Sequence, residues 1–165
     1  MVNQFCENVS DITNEGQVAD FLTKIMKKEA GDGSGLIYGM GHAIYTLSDP
    51  RARILRQKAE EFAVNTEFED EFRLLSLIEQ LTPEIFNSNK AQKKAAMCAN
   101  VDLYSGLVYK MLDIPSDLFT PIFTIARIAG WSAHRIEELI AGGKIIRPAY
   151  KSSGVRNIYV PMDNR

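Results

Sequence analysis

The sequence predicts an all-α fold, with helices of ordinary length, one long C-terminal helix and a short extended tail. Apolar residues recur at three- and four-residue spacing through most of the 165 residues, and glycine or proline falls between these stretches. Alternating patterns typical of extended chain are confined to residues 144–150 and 156–161. Hydrophobic residues make up 45% and charged residues 24%, a balance that excludes a disordered chain. We therefore expect function on the loops between helices.

Two helices are predicted in the first part of the chain. Residues 17–30 form the first, ended by Gly31, and its apolar face consists of Val18, Phe21, Leu22, Ile25 and Met26. Residues 31–41 are rich in glycine and predict a loop. The second helix spans residues 51–64 after the start signal Ser48-Asp49-Pro50, and its inward residues are Ile54, Leu55, Ala59 and Phe62.

Four more helical patterns follow. Residues 66–86 begin with an acidic turn and predict a long amphipathic helix interrupted near Pro83. Residues 90–99 permit a basic helix, and residues 105–112 predict a short one with Leu107, Val108 and Met111 buried. A last pattern over residues 117–141 is closed by Gly142, and its apolar positions are Ile122, Ile125, Ala126, Ala129, Ala133, Ile136 and Ile140.

Charge and cysteine content exclude several classes of function. Lysine and arginine number 19 against 21 acidic residues, so the net charge of −2 predicts neither a nucleic-acid nor a membrane-surface partner. No apolar run reaches the roughly 20 residues of a membrane span. Cys6 and Cys98 stand far apart, which predicts no disulfide framework and no metal site. Residues 1–10 are too polar for a secretory leader, and together these features predict a cytoplasmic protein.

Three residues stand out as candidates, and each has a structural alternative. His42 follows Gly39 and Gly41, so it is either a proton donor beside a close-fitting loop or a loop histidine bonded to a neighbouring carbonyl. Asp102 is either a general base or the cap of a helix. Arg127 is the sole charge between residues 118 and 133. If buried, it needs either a structural ion pair or a bound carboxylate. Trp131 is expected in the core.

Four motifs in order give the chain a resemblance to a known family. They are Gly39-Met40-Gly41-His42-Ala43-Ile44-Tyr45 with Asp49-Pro50-Arg51, then Asn100-Val101-Asp102-Leu103-Tyr104-Ser105-Gly106, then Ala126-Arg127-Ile128-Ala129-Gly130-Trp131, and Ile146-Arg147-Pro148. Over essentially its whole length the chain resembles the C-terminal part of citrate synthase. That family condenses acetyl-CoA with oxaloacetate and releases citrate and CoA.

The resemblance implies a role for each matching residue. Asp102 is expected to remove a methyl proton from acetyl-CoA, and His42 is expected to bind oxaloacetate and polarise its carbonyl. Guanidinium groups match carboxylates in a planar, bidentate way, so Arg51, Arg127 and Arg147 are expected to bind the two carboxylates of oxaloacetate. A further family histidine, which stabilises the enol, lies upstream of everything seen here. His134 does not match its motif.

The same resemblance predicts where CoA binds. The expected wall of that site is formed by Leu36, Ile37, Gly39, Gly41, Ala43 and Asn100. Lys93 and Lys94 lie where a phosphate of CoA could be met. Acetyl-CoA is expected as a cosubstrate, with no permanently bound cofactor.

The resemblance also predicts organisation and partners. Residues 1–116 are expected to correspond to the family's small domain, and residues 117–165 to a helix and tail that belong with its large domain. Arg147 is expected to reach the partner's site in a homodimer. We expect the chain to be a fragment, inactive alone, whose long helix exposes an apolar stripe. Alternative functions are 2-methylcitrate synthase, which differs by one methylene of acyl group, and a non-catalytic helical assembly module.

Overall fold

A computed structural model describes residues 1–88, 97–142 and 161–162 of the chain. Over these residues the fold is all-α, as the sequence predicts, and the one extended pairing is an antiparallel bridge between Met40 and Ala99. The helices are α1 (Val2–Asn8), α2 (Glu15–Met26), α3 (Pro50–Ala63), α4 (Glu69–Ser88), α5 (Asp102–Met111) and α6 (Phe119–Ala141), with a 3₁₀ turn at Ser116–Leu118. The predicted extended tail lies outside the described residues, except for Pro161.

The chain divides into two compact units, Met1–Ile122 and Phe123–Arg165. In the first unit α3 packs on α5, and α2 packs on α4. Its core takes large side chains from four helices: Phe5, Leu22, Leu74, Ile78 and Tyr104. Burying such side chains is the main stabilising contribution to the fold, at about 1.5–3 kcal/mol for each.

Helix α2 buries the predicted face but ends earlier than predicted. Val18, Phe21, Leu22 and Ile25 are buried, and Met26 packs against the core from its edge. The helix stops at Met26 rather than at residue 30 because Lys28 adopts a left-handed conformation with φ of 65°. A lysine carries no sequence signal for that conformation, whereas Gly31 does, so the predicted end fell on the glycine.

Helix α3 begins as predicted, with Asp49 as its N-cap and Pro50 in the first turn. Two of its four predicted inward residues are exposed, Ile54 at 63% and Phe62 at 44%. Ala59 is buried as predicted and Leu55 packs against the core, and the other buried positions are Ala52 and Ala63. These small side chains let α3 approach α5 closely, an effect that a search for large apolar residues overlooks.

Helix α4 runs through Pro83, so the predicted interruption is wrong. A proline in a helix interior costs about 3 kcal/mol, because it removes a backbone hydrogen bond and crowds the preceding turn. Leu81 and Thr82 are buried just before the proline, and Ile85 packs against the core just after it. Tertiary packing on both sides of Pro83 therefore outweighs the local preference.

Helix α5 begins at Asp102, earlier than predicted, and buries Leu103 and Tyr104 along with Leu107 and Val108. Met111, also predicted to be buried, is half-buried and packs at the edge of the core. The basic helix predicted over residues 90–99 falls largely outside the described residues. Its described end, residues 97–99, is not helical.

Helix α6 begins two residues later than predicted, after the 3₁₀ turn, and ends at Ala141 as predicted. Gly142 follows it with a left-handed φ of 59°. No residue of this helix is buried. Trp131 is 51% exposed, so its predicted place in a core is wrong. The apolar stripe of α6 is exposed, as expected for this chain alone. In the part of the chain that the structure describes, no helix has both the length and the apolarity to cross a membrane.

Candidate active site

A short backbone pairing fixes the glycine-rich loop against the segment that leads into α5. Beside the bridge between Met40 and Ala99, the N–H of Gly41 donates to the carbonyl of Cys98 at 2.8 Å. The N–H of Asn100 donates to the carbonyl of Gly39, also at 2.8 Å. The pairing ends immediately before His42 in one segment and close to Asp102 in the other. Two distant parts of the sequence are thereby brought to one place.

Gly39 allows this loop to lie directly on α5. Its φ is 87°, and a Cβ at this position would lie 2.8 Å from Cα of Leu103 and 2.9 Å from Cβ of Leu103. Both distances are far below van der Waals contact, and one of them is to backbone. The position therefore requires glycine for two reasons, the left-handed conformation and the close approach.

The imidazole of His42 is oriented by two backbone amides. Its Nδ1 accepts from the N–H of Ile44 at 3.0 Å and from the N–H of Tyr45 at 3.1 Å. The alternative of a loop histidine bonded to a neighbouring carbonyl is therefore wrong, since its partners are donors. Because Nδ1 accepts, the neutral ring carries its proton on Nε2. His42 thus presents an N–H donor on its other side.

Arg51 places a second donor beside this one. Its Nη2 lies 3.2 Å from Nε2 of His42. A guanidinium has no acceptor. In the tautomer whose Nδ1 accepts from the two backbone amides, Nε2 also carries a proton, so both atoms are donors. Two adjacent N–H donors can share one oxygen placed between them. Such a pair can stabilise negative charge that develops on a carbonyl oxygen.

Asp49 holds Arg51 in place, a role that the sequence analysis did not predict beyond helix capping. Its buried carboxylate accepts from the backbone N–H of Arg51 at 2.9 Å, from Nε at 3.0 Å and from Nη2 at 2.8 Å. The hydrogen bonds from the Arg51 side chain lower the pKa of Asp49 to about 2. The same contact raises the pKa of Arg51. The available signal was Asp49-Pro50-Arg51, in which a capping aspartate precedes an arginine by two residues.

Asp102 lies in the first turn of α5 and is exposed. It does not cap the helix, because Val101 is the N-cap residue and makes no side-chain cap bond. Instead, the side chain of Asn100 accepts a hydrogen bond from a backbone N–H at the start of α5, that of Asp102, at 2.9 Å. The charge of Asp102 contributes to the raised pKa of Arg51. Together with the backbone pairing of residues 39–41 with residues 98–100, this places Asp102 in the same region of the first unit as His42 and Arg51.

A cavity of about 310 Å³ opens beside the loop and includes Asp102 in its lining. Its size falls in the usual range for small-molecule sites. Four of the six residues predicted for the CoA wall line it, namely Leu36, Ile37, Gly39 and Asn100. Gly41 and Ala43 are not among its lining residues. A second cavity of about 520 Å³ also borders Gly39 and Asp102.

The remaining predicted residues lie in the second unit or outside the described residues. Arg127 belongs to the second unit and is exposed, so it is not the buried cation that the sequence suggested. Its Cζ lies 4.8 Å from the ring centroid of Phe123, a cation–π contact within α6. Arg147, Lys93 and Lys94 lie outside the described residues. Within those residues, no group of three histidine, cysteine, aspartate or glutamate side chains could hold a metal.

Comparison with known proteins gives consistent matches. Residues 2–149 match the family model described as citrate synthase, C-terminal domain. A citrate synthase from Synechocystis is 42% identical over 130 residues, covering 78% of this chain and 31% of its own length. A 2-methylcitrate synthase from Shewanella oneidensis is 35% identical over 162 residues, covering 96% of this chain and 39% of its own length.

Among solved structures, the chain resembles the citrate synthase from Thermoplasma acidophilum in its ternary complex with carboxymethyl coenzyme A and oxaloacetate. The TM-score is 0.66 at 26% identity, covering 99% of this chain and 40% of that one. The chain thus spans roughly a third of the length of the curated relatives that it matches.

Proposed function

Because the chain belongs to the citrate synthase family, we propose that it supplies a carbonyl-polarising pair, a base and an acyl-CoA wall for the condensation of acetyl-CoA with oxaloacetate. The observation that carries this proposal is the pair of donors formed by Nε2 of His42 and Nη2 of Arg51, 3.2 Å apart. A ketone oxygen between them would gain two hydrogen bonds as its negative charge develops. Oxaloacetate combines such a ketone with carboxylates that suit the guanidinium.

Asp102 supplies the other half of the reaction. Its carboxylate takes a proton from the methyl group of acetyl-CoA, and the resulting carbon nucleophile attacks the polarised ketone carbon of oxaloacetate. A carbon–carbon bond forms, and the electron pair of the carbonyl moves to the oxygen held by His42 and Arg51. That oxygen takes up a proton to become a hydroxyl group, which balances the proton removed by Asp102. Water then cleaves the thioester of the condensed product, which releases citrate and CoA. The position of Asp102 in the wall of the cavity supports this assignment.

The cavity beside the loop is proposed to hold part of CoA. Its lining is mostly apolar and includes backbone of the glycine-rich loop, which permits close contact with an extended thiol chain. Leu36 is 60% exposed and lines the cavity, whereas Ile54 is 63% exposed and lies on α3 away from it. Substitution of each by tryptophan therefore gives a matched pair, in which only one change fills the cavity.

The first experiment is a calorimetric titration of the purified chain with CoA, after its mass in solution has been measured. We expect saturable binding near one site per chain, weakened by Leu36→Trp and unchanged by Ile54→Trp. If CoA binds neither to the unsubstituted chain nor to the Ile54→Trp control, the result favours the alternative of a non-catalytic helical assembly module. Equal weakening by both substitutions would place the CoA site elsewhere.

The chain by itself is proposed not to turn over. It contains two histidines, His42 and His134, and only His42 lies in a motif of the family's active site. A histidine that stabilises the enol must come from another segment, and the carboxylate contact of Arg147 is expected to be completed in a homodimer. When several catalytic residues act together, loss of one of them commonly lowers the rate by orders of magnitude. Mixing the chain with acetyl-CoA and oxaloacetate should therefore release no thiol above the uncatalysed background.

A second candidate is 2-methylcitrate synthase, favoured by the relative from Shewanella oneidensis. That reaction differs by one methylene in the acyl group, which is worth about 1–3 kcal/mol in an apolar pocket. Titration with propionyl-CoA and acetyl-CoA separates the two. Tighter binding of propionyl-CoA by tenfold or more would favour the second candidate.

A further inference from the structure

The side chain of Asn100 links the two segments that carry the proposed catalytic residues. Its Nδ2 donates to the carbonyl of Gly41 at 2.9 Å, and Gly41 immediately precedes His42. Its Oδ1 accepts from the backbone N–H of Asp102 at 2.9 Å. One amide group thus bonds to the backbone on both sides of the site.

Asparagine is required here by the chemistry of its partners. The carbonyl of Gly41 only accepts and the N–H of Asp102 only donates, so the orientation of the amide is fixed by the two bonds. Aspartate keeps the acceptor for Asp102 but has no donor for Gly41. Alanine keeps neither. Comparing asparagine, aspartate and alanine at position 100 therefore distinguishes the bond to Gly41 from the bond to Asp102.

Both polar atoms of the side chain are occupied within the protein, although Asn100 also lines the cavity. The resemblance suggested a contact with CoA, and the structure adds two internal bonds of the same side chain. Resting on the proposed function, we propose that Asn100 is a positioning residue that fixes the spacing between the imidazole of His42 and the carboxylate of Asp102. It does so by bonding to the loop and to the first turn of α5 at once.

Spacing matters because the two groups act on two different molecules that must meet. His42 would hold the ketone and Asp102 would create the attacking carbon, so a shift of one segment misaligns the atoms that react. Gly39 sets how closely the loop approaches α5, but its contact with Leu103 is steric and does not orient His42. The amide of Asn100 adds a directional link at the residue next to the imidazole.

The test uses the isotopically labelled full chain and nuclear magnetic resonance. Two amide protons, those of Ile44 and Tyr45, report on the ring of His42, because they donate to its Nδ1. The amide of Asp102 reports on the start of α5. The variants are Asn100→Ala and Asn100→Asp. The control is Asn8→Ala, since the amide of Asn8 makes one exposed bond to the carbonyl of Gln4 in α1.

We expect Asn100→Asp to shift the signals of Ile44 and Tyr45 and speed their exchange by about fivefold to tenfold, as loss of one hydrogen bond implies, while Asp102 keeps its protection. Asn100→Ala should change all three amides. Asn8→Ala should change none of them. A general loss of stability would speed all three amides in both variants alike, so this selective pattern distinguishes positioning from a purely structural role.

The proposal is overturned if the signals of Ile44 and Tyr45 stay unchanged in Asn100→Asp, or if all three amides change equally in that variant. If Asn100→Ala does not fold, Asn100→Asp alone decides by the same criterion. The measurement needs no substrate, so it is independent of the proposed function. Absence of CoA binding by the unsubstituted chain would contradict the proposed function and leave the link between the two segments standing.

Discussion

Asp49 holds the guanidinium of Arg51 through two parallel hydrogen bonds, from Nε to Oδ1 at 3.0 Å and from Nη2 to Oδ2 at 2.8 Å. The side chain of Asp49 is fully buried, whereas that of Arg51 is 43% exposed. The pair therefore has a closed side that fixes the guanidinium plane and an open side beside His42. Because Asp49 is also the N-cap of α3, the orientation of Arg51 is tied to the start of the helix.

Replacing Asp49 by asparagine should separate capping from charge. The amide retains an oxygen that can cap α3, but it loses the negative charge and one acceptor for the guanidinium. We expect a loss of about 1–3 kcal/mol in the free energy of unfolding, measured by urea denaturation. Asp11→Asn is a suitable control, because Asp11 is exposed and its side chain accepts from the nearby Thr13. If Asp49→Asn is as stable as the unsubstituted chain, the ion pair of Asp49 with Arg51 contributes nothing to the free energy of unfolding.

The same pair makes part of the stability sensitive to acid. The pKa of Asp49 is about 2 in the fold against an ordinary value of 3.8, so between these values the unfolded chain binds more protons. The contribution of Asp49 is therefore complete above about pH 5 and is lost as the pH falls from about 4 to 2. Asp32 also has a pKa of about 2, so the total slope is not due to Asp49 alone. Urea denaturation at several pH values measures this loss. Between pH 4 and 2 the free energy of unfolding should fall less for Asp49→Asn than for the unsubstituted chain. Equal slopes would contradict the assignment.

Gly39 and Gly41 give a matched test of close approach. Both have a left-handed backbone, with φ of 87° and 88°, but a Cβ would meet Leu103 at Gly39 and nothing within 4 Å at Gly41. Gly41→Ala should cost about 1–2 kcal/mol, from backbone conformation alone. Gly39→Ala should cost more, because the loop must also move away from α5. Urea denaturation measures both free energies, and equal losses would mean that the loop relaxes without cost.

The helices could be predicted because large apolar residues recur at helical spacing, as in α2. What local spacing does not show is which neighbour a helix meets. The buried stripe of α3 consists of alanines, since α5 packs closely against it, and Ile54 is left exposed. Pro83 is tolerated in α4 because residues on both sides of it are buried, which depends on tertiary contacts rather than on the local sequence.

The sequence predicted the motif residues of the candidate site. It did not predict the roles of the residues that hold them in place. His42, Arg51 and Asp102 were singled out by residue type and resemblance. Asp49 was seen only as a helix cap, and Asn100 only as part of a cavity wall. The bond from Asn100 to Gly41 joins residues 59 positions apart in sequence, so a single sequence contains no local pattern for it. Such links became visible only once the loop and α5 were placed together.

Arg127 offers a direct test of the proposed carboxylate site. It is exposed on α6 and contacts the ring of Phe123, an interaction worth about 0.5–1 kcal/mol at an exposed position. Arg127→Leu should therefore change the melting temperature of the unliganded chain only slightly. If Arg127 binds a carboxylate of oxaloacetate, the same substitution should reduce the rise in melting temperature that oxaloacetate produces.

Arg135→Leu is the matched control, because Arg135 is also exposed on α6 but pairs with Glu138 at 2.7 Å. Both substitutions remove one positive charge from the same helix, so a general effect of charge on anion binding should affect them equally. A specific site requires that the stabilisation by oxaloacetate falls with Arg127→Leu and persists with Arg135→Leu. Equal responses would mean that Arg127 does not bind the substrate in this chain, and its role would then be limited to the contact with Phe123.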